Sequence, residues 1–174
     1  MDIHKPEEVE QHDKSFEQEM ELAETKLRSL ERARSQTATH DTSFKDKVGH
    51  DISLRTWESG NHAYVRAYDT GKVQVPNTID TGQAGYANAM LEYPIDGQTR
   101  VRLNDIGTSP DYRRAGIGNE MLSQVEQYGR DNNAKEIYGS IDSQGAQDFW
   151  KNQADKGWDI DYNKGAYGEV HKKV

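Results

Sequence analysis

Residues 103–127, LNDIGTSPDYRRAGIGNEMLSQVEQ, contain the features from which the fold of this chain can be predicted. A short apolar strand is followed by a Pro-Asp turn and a glycine-rich bend. Apolar residues then recur at helical spacing, at Ile117, Met121, Leu122 and Val125. The stretch therefore predicts a strand, a loop and an amphipathic helix in direct succession.

The predicted start of this helix has the chemistry of an anion site. Gly116 and Gly118 place no side chain over the first turn. The free backbone N–H groups of residues 115–119 can therefore close on an anion, which the helix dipole also favours. Arg113 and Arg114 add fixed positive charge beside them. We expect this loop to bind a phosphate or a pyrophosphate.

Two well-known phosphate loops do not fit these residues. A P-loop needs Gly-Lys-Ser/Thr at its end, and a dinucleotide fingerprint needs a third glycine and a ribose-binding acid about 20 residues later. The stretch instead resembles the acyl-coenzyme A loop of the GNAT N-acetyltransferase superfamily, Arg/Gln-x-x-Gly-x-Gly/Ala, with Arg113, Gly116 and Gly118 at its fixed positions. The strand, the Pro-Asp-Tyr turn and the helix around it also match.

A second stretch supports the resemblance. A predicted strand over residues 135–141 and a helical run over residues 144–154 precede Lys156-Gly157-Trp158. Ala146, Phe149, Gly157 and Trp158 resemble the family signature Asn-x-x-Ala-x-x-Phe-Tyr-x-x-x-Gly-Phe, with a longer gap before the glycine. Taken alone, this would be an amphipathic helix ended by a glycine cap, which many α/β domains contain.

The resemblance implies an α/β (α+β) GNAT fold, a mixed and mostly antiparallel sheet splayed around an acyl-CoA cleft. It implies acetyl-CoA as the cofactor and transfer of the acetyl group to an amine, either on a protein or on a small molecule. The residues implied to bind the cofactor lie in four places along the chain: Ile106, Gly107, Thr108, Arg113, Arg114, Ala115, Gly116, Ile117, Gly118, Asn119, Ser143 and Trp150.

The catalytic residues of the family are only partly matched. Trp150 stands where relatives carry a tyrosine acid, and an indole cannot donate a proton at a useful pKa. The pantetheine-contacting Asn of relatives falls at Ser143, and the glutamate base that relatives carry at the positions of Arg102 or Tyr138 is absent. Substitutes are Asp105, Tyr138, Asp142, Tyr162 and Tyr167, of which we select Asp105, Tyr138 and Tyr162. Proton removal through water stays an alternative.

The chain is predicted to have three parts. Residues 1–34 form an amphipathic helix as an appendage, which either packs on the domain, pairs with a second copy or docks on a protein partner. Residues 35–50 are a polar linker, and residues 51–174 are the GNAT domain. Strands are predicted at 52–57, 63–68, 85–93 and 99–106, with residues 72–75 as a further candidate, and a last hairpin after residue 159. No helices appear between the first two strands, where the family usually places two.

The composition of the chain argues against several classes of partner and site. The net charge of −8 argues against nucleic-acid binding and weakly favours cationic partners such as amines. The chain has no Cys, which excludes disulfides, a thiolate metal site and a cysteine nucleophile, and we expect no metal. No apolar run approaches the ~20 residues of a membrane span, so we expect no membrane association and a cytoplasmic protein.

Two other function classes stay open at this point. The chain could be a non-catalytic GNAT-like module that binds coenzyme A or a protein, since the usual tyrosine and glutamate are missing. It could also be an inhibitor or toxin that docks on one protein target and acetylates it.

Overall fold

The computed structural model describes residues 39–72 and 82–174. Within them, eight strands form one sheet in the order β1-β2-β3-β4-β5-β6-β8-β7. The strands are β1 His40–Lys45, β2 Asp51–Ser59, β3 His62–Asp69, β4 Gln83–Glu92, β5 Arg100–Thr108, β6 Glu136–Ser140, β7 Asp159–Asp161 and β8 Glu169–Lys173. All neighbours pair antiparallel except β5 and β6, which are parallel. The predicted mixed, mostly antiparallel sheet is confirmed.

Two α-helices accompany the sheet in the described ranges. They are α1, Ile117–Asp131, and α2, Gln144–Lys151, and short 3-10 helices cover Pro110–Tyr112 and Ala154–Lys156. The helical run predicted over residues 144–154 is therefore broken after Lys151. Neither helix is both long and apolar enough to cross a bilayer.

The core lies between α1 and one face of the central strands. Side chains of β3 alternate between buried and half-buried positions, as expected for a strand with one face in the core. The apolar stripe of α1 meets that face, and Ile117, Met121, Leu122 and Val125 are all buried there. The helical spacing read from the sequence thus gives the correct buried side of α1.

The parallel pair β5 and β6 stays together for only three residues. Its register runs from Arg100 opposite Glu136 to Arg102 opposite Tyr138. Beyond that point, β5 continues to Thr108 paired with β4 alone, and no described strand pairs with its other edge. The two strands therefore separate into a cleft that opens toward α1, as the predicted splay requires.

A β-bulge shapes the wall of this cleft. Asn88 of β4 lies opposite Asp105, whereas the next residue, Ala89, lies opposite Leu103, so Asn104 is an extra residue in β5. Asn104 and Asp105 are consecutive, yet both are exposed. The bulge breaks the alternation of β5 and changes which side chains point into the cleft.

The start of the sheet differs from the prediction. Residues 40–45, assigned to a linker, form β1, which pairs with β2 from His40–Thr56 to Lys45–Asp51, so the sheet begins before residue 51. Only Phe44 in β1 is apolar, and polar cross-strand contacts hold the strand in place, including Lys45–Asp51 at 2.6 Å and Ser53–Asp41 at 3.1 Å. A strand stabilised in this way has no apolar alternation for sequence analysis to detect.

The other predictions for the N-terminal half have mixed outcomes. Only Gly60 and Asn61 separate β2 from β3, so the predicted absence of helices at this point is confirmed. The predicted helix over residues 1–34, the start of the linker and the strand candidate beyond Lys72 lie outside the described residues.

Candidate functional site

The loop between β5 and α1 has a backbone that requires glycine at one position. After the 3-10 turn Pro110–Tyr112, Arg113 is extended and Arg114 is left-handed, with φ 63°. Gly116 has φ 94° and is the N-cap of α1. A side chain is disfavoured at that φ, so Gly116 is needed for the chain to turn into the helix.

The first turn of α1 presents free amides. No side chain caps the helix at Gly116, and the first helical hydrogen bonds run from the N–H groups of Asn119 and Glu120 to the Gly116 carbonyl, at 3.0 and 3.3 Å. The N–H groups of Ile117 and Gly118 precede this pairing. Arg113 and Arg114 are exposed beside them and have no ion-pair partner among the described residues. The arrangement has the charge and the donors to bind an anion.

Gly118 lies too close to a neighbouring ring to carry a side chain. A Cβ atom placed there would lie 2.9 Å from Cε2 of Phe149, on α2. Next to it, the Asn119 side-chain oxygen accepts a hydrogen bond of 2.9 Å from Nε2 of the buried Gln153. The start of α1 is thus fixed against α2, and the Asn119 amide oxygen has a structural partner.

A buried tyrosine, Tyr112, connects the loop to the end of β3. Tyr112 is 3% exposed and donates a hydrogen bond of 2.8 Å to Asp69, at the end of β3. The Lys72 ammonium lies 4.8 Å from the centre of its ring, and the His50 ring meets it edge-on at 5.3 Å. Burial raises the pKa of the Tyr112 hydroxyl, so the phenol stays neutral and keeps this bond.

The turn between β1 and β2 also contacts the loop. The Lys47 N–H donates a hydrogen bond of 3.0 Å to the Ala115 carbonyl. The side chain of Lys47 extends over Gly116, with Cε 3.6 Å from the position of a Cβ there. The segment that the sequence assigned to a linker therefore forms one side of the candidate anion site.

Tyr86, on β4, lies against the unpaired part of β5. A Cβ on Gly107 would be 2.8–2.9 Å from Cε1, Cζ and the hydroxyl oxygen of Tyr86, so the phenol covers the Gly107 backbone. Of the strand-end residues predicted to bind the cofactor, Ile106, Gly107 and Thr108 are half-buried and line this part of the cleft.

Tyr86 is also the centre of a charged group. Burial raises the pKa of its hydroxyl, and the charge of Asp105, a hydrogen bond to that carboxylate and the charge of Asp142 raise it further, while Arg66 opposes them. The Arg66 guanidinium lies 5.8 Å from the centre of the Tyr86 ring and donates to the Asn88 side chain at 3.0 Å. A phenol, a carboxylate and a guanidinium thus meet at the bulge.

Tyr138, the second catalytic candidate, is at the point where β5 and β6 separate. Its hydroxyl donates to Glu92, and the Arg102 guanidinium is 4.0 Å from the same carboxylate. Burial, followed by the hydrogen bond to Glu92 and the Glu92 charge, raises the pKa of Tyr138 to about 12. The proton of this phenol is therefore held by Glu92 and is poorly suited to transfer at neutral pH.

Three predicted site residues lie in other elements, after β7 and in or next to α2. Tyr162 follows β7 and its side chain is 54% exposed. Ser143 is the N-cap of α2 and accepts a hydrogen bond of 3.2 Å from the Ala146 N–H. Trp150 is 3% exposed, with its ring 5.0 Å from that of Trp158, so it packs in the core and a bound molecule could not contact it without movement.

Sequence analysis missed Tyr86, Arg66 and Lys47. Strand alternation in β4 places Tyr86 and Asn88 on the face opposite Ala87 and Ala89, which was a usable signal. No such signal exists for Lys47, because its position depends on a hairpin that sequence patterns do not reveal.

The comparison with protein families decides the assignment. The model of the acetyltransferase (GNAT) family matches residues 25–154. The chain belongs to the GNAT family. The loop described above, with its positive-φ Gly116 and the splayed β5, occupies the place where the sequence resemblance predicted the acyl-CoA loop of a GNAT protein.

Several solved structures resemble the chain at low sequence identity. The NatC complex bound to Gag peptide and CoA gives a TM-score of 0.50 at 12% identity over 64% of this chain and 70% of that chain. PaiA N-acetyltransferase from Thermoplasma acidophilum, in complex with coenzyme A, gives 0.47 at 16% identity, covering 66% and 62%. An aminoglycoside acetyltransferase from an uncultured soil metagenomic sample, in complex with sisomicin, gives 0.46 at 14% identity, covering 55% and 58%.

These coverages leave parts of the compared structures unmatched. This GNAT chain spans 58% of the length of the aminoglycoside acetyltransferase and 62% of the length of PaiA. No curated protein sequence matches the chain.

Coenzyme A, which the GNAT family implies, fits the residues present. No side chain caps the first turn of α1, the amides of Ile117 and Gly118 are free for phosphate oxygens, and Arg113 and Arg114 precede them in the same loop. The unpaired edge of β5 offers backbone groups to an extended, amide-containing chain such as pantetheine, in the manner of an added strand.

Proposed function

We propose that this chain is an N-acetyltransferase that takes the acetyl group from acetyl-CoA and transfers it to an amine. The proposal rests on one observation: the unpaired edge of β5 is followed, after a single 3-10 turn, by the Arg113–Gly118 loop. One ligand can therefore occupy both, with its pyrophosphate on the loop and its extended arm along the strand.

Acetyl-CoA would supply an activated thioester carbonyl at the strand end of this cleft. The loop residues Arg113 and Arg114 and the amides of Ile117 and Gly118 bind the diphosphate end. The backbone of Ile106, Gly107 and Thr108 holds the arm and provides an N–H to the carbonyl oxygen.

Asp105 is the residue best placed to accept the proton of the amine. Asp105 is exposed on the bulge, and its carboxylate is close enough to the Tyr86 hydroxyl to raise the pKa of that phenol. Loss of a proton from the attacking nitrogen and gain of one by the departing sulfur are the two transfers that amide formation requires. Asp105 would perform the first, directly or through a water, and the Tyr86 phenol would perform the second.

The other two candidates have weaker support. The Tyr138 proton is held by Glu92 and its pKa is about 12. Tyr162 is 54% exposed in the turn that follows β7. We therefore assign Asp105 and Tyr86 the proton transfers.

The acceptor is proposed to be an amine, either on a protein or on a small molecule. Amines are cationic before they react, and the net charge of −8 of the chain favours their approach. The carboxylates of Asp105 and Asp142 near the cleft provide a local negative field for such a group.

The test is calorimetric titration of the full chain with acetyl-CoA, followed by incubation of a lysate with cofactor that carries a labelled acetyl group. We expect micromolar binding and label in a defined acceptor. Gly116→Glu should abolish binding, because the new side chain adds negative charge and bulk at the anion site. Wild-type affinity in Gly116→Glu would refute the loop assignment, and binding without label transfer would identify a non-catalytic CoA-binding module.

A further inference from the structure

We propose that Lys47 binds the pyrophosphate of coenzyme A, and that the turn between β1 and β2, residues 46–49, forms one wall of the cofactor site. The inference rests on the proposed function, since it names a residue for the same ligand. It concerns a segment that neither the loop motif nor its flanking elements include.

Lys47 is held next to the loop by its backbone and its side chain. Its backbone is tied to the loop by the hydrogen bond of 3.0 Å to the Ala115 carbonyl. Its side chain crosses Gly116, with Cγ 3.8 Å and Cε 3.6 Å from the site of a Cβ on that glycine. The terminal ammonium is one bond beyond Cε, so it lies beside the first turn of α1, where the free amides are.

The charge of Lys47 is the second argument. The side chain is exposed and forms no ion pair with any described residue. Lys45, two residues earlier in the same hairpin, is bound to Asp51 at 2.6 Å, and Lys164 is bound to Glu169 at 3.0 Å. Within the described part of the chain, the charge of Lys47 therefore has no acidic partner next to the candidate anion site.

The rigidity of the turn is the third argument. Asp46 is 6% exposed, and its carboxylate accepts hydrogen bonds from the N–H groups of Val48 and His50 at 3.0 and 2.9 Å and contacts the His50 ring at 2.8 Å. The turn thus has a fixed backbone, so binding a ligand would order the side chain of Lys47 without having to order the turn as well.

Together these contacts place a further cation at the first turn of α1, in addition to the two arginines of the loop. Arg113 and Arg114 are in the loop itself, whereas Lys47 reaches the same first turn from the β1–β2 hairpin. A diphosphate on the amides of Ile117 and Gly118 would have positive charge on two sides, and each charge-assisted contact strengthens its binding.

The experiment compares Lys47→Gln with Lys45→Gln by calorimetric titration with coenzyme A and with dephospho-coenzyme A, which lacks the 3′-phosphate but keeps the pyrophosphate. Glutamine removes the charge, keeps a polar although shorter side chain and leaves the backbone bond to Ala115 intact. We expect Lys47→Gln to raise Kd about twofold to fivefold for both ligands, as loss of one exposed charge-assisted contact does, and Lys45→Gln to leave Kd unchanged. Lys47→Arg should restore most of the affinity.

The outcomes separate this inference from the proposed function. If wild-type protein binds neither ligand, the proposed function itself fails. If wild-type protein binds both and Lys47→Gln binds equally well, the cofactor assignment stands and the role of Lys47 is overturned. A loss seen with coenzyme A but not with dephospho-coenzyme A would assign Lys47 to the 3′-phosphate and overturn the pyrophosphate contact. Circular dichroism at the titration temperature checks that each variant is folded.

Discussion

The Phe149 ring lies against Gly118 so closely that a Cβ on the glycine would be 2.9 Å from Cε2. The glycine of the loop pattern therefore has a packing role besides leaving space for a phosphate. Because Phe149 is part of α2 and packs against the core, the position of α2 and the shape of the anion site depend on each other.

Replacement of Gly118 by alanine should therefore reduce stability as well as cofactor affinity. The added methyl group forces Phe149 to move, and overpacking of this kind costs about 1–3 kcal/mol. The matched control is Gly145→Ala in α2, where nothing lies within 4 Å of the new Cβ. Alanine there should raise stability by about 0.5 kcal/mol through helix propensity. Chemical denaturation measures both, and equal stability of the two variants would contradict the packing role of Gly118.

Removal of the Tyr86 hydroxyl should slow acetyl transfer with little effect on folding. Tyr86→Phe keeps the ring over Gly107 and removes only the hydroxyl, whose pKa the Asp105 carboxylate raises. We expect kcat to fall about 100-fold and Asp105→Asn to give a similar loss, in the range typical of a general acid or base. Steady-state kinetics with Tyr93→Phe as control tests this, since Tyr93 is 70% exposed. If kcat is unchanged in Tyr86→Phe, the departing sulfur does not take its proton from Tyr86.

The charge of Asp46 should stabilise the fold at neutral pH and not in acid. Burial raises the pKa of Asp46, but hydrogen bonds from the His50 ring and from the His50 and Val48 N–H groups outweigh it and lower the pKa from its usual 3.8. A lowered folded-state pKa contributes stability above pH 3.8 that is lost as the pH falls through the folded-state value. We expect Asp46→Asn to have a lower Tm than wild type at pH 7, and the difference to shrink below pH 3.8. A Tm difference independent of pH would rule out this linkage.

Alkaline pH should weaken the fold through Tyr138. Its pKa is raised from 10.0 to about 12 by burial and by the hydrogen bond to Glu92, so the folded protein holds this proton more tightly than the unfolded chain. The stability gained is present below pH 10 and is lost as the pH rises from 10 to about 12. Tyr138→Phe should flatten the fall of Tm over this range. Tyr93→Phe, which alters an exposed phenol, should show the same decrease of Tm with pH as wild type. If Tm decreases equally in both variants, the loss of stability does not come from Tyr138.

Tyr128 offers a stability test within the core. The side chain is 3% exposed, and its hydroxyl has no hydrogen-bond partner among the described residues. A buried polar group without a partner costs about 1–3 kcal/mol, so Tyr128→Phe should be neutral or raise stability by about 1 kcal/mol. Denaturation midpoints at neutral pH measure the change, and a clear loss of stability would show that the hydroxyl is partnered.

The strands after residue 51, α1 and the glycine-rich loop before it could be predicted because local sequence determines them, whereas anion binding by that loop stays a prediction. Ile117, Met121, Leu122 and Val125 have helical spacing whatever surrounds them, and Gly116 is needed wherever this turn is made. The loop pattern needed no knowledge of distant residues.

The proposed catalytic residues depend on long-range pairing and could not be predicted in the same way. Tyr86 meets Gly107 and Asp105 only because β4 and β5 pair in one register, and the bulge at Asn104 shifts that register by a residue. Trp150 was expected at the cofactor because of its place in a motif, whereas the structure uses it as a core side chain next to Trp158.

The short link between β2 and β3 makes this domain a convenient scaffold for engineering. Gly60 has open space around it, whereas Asn61 exchanges two hydrogen bonds with the Leu91 backbone, at 2.7 and 3.0 Å. New sequence inserted just before Gly60 would leave the two Asn61–Leu91 hydrogen bonds intact. It would lie between the two strands where the family pattern places two helices. Libraries of helical hairpins grafted there could change the range of acceptors without altering β5 or the loop that follows it.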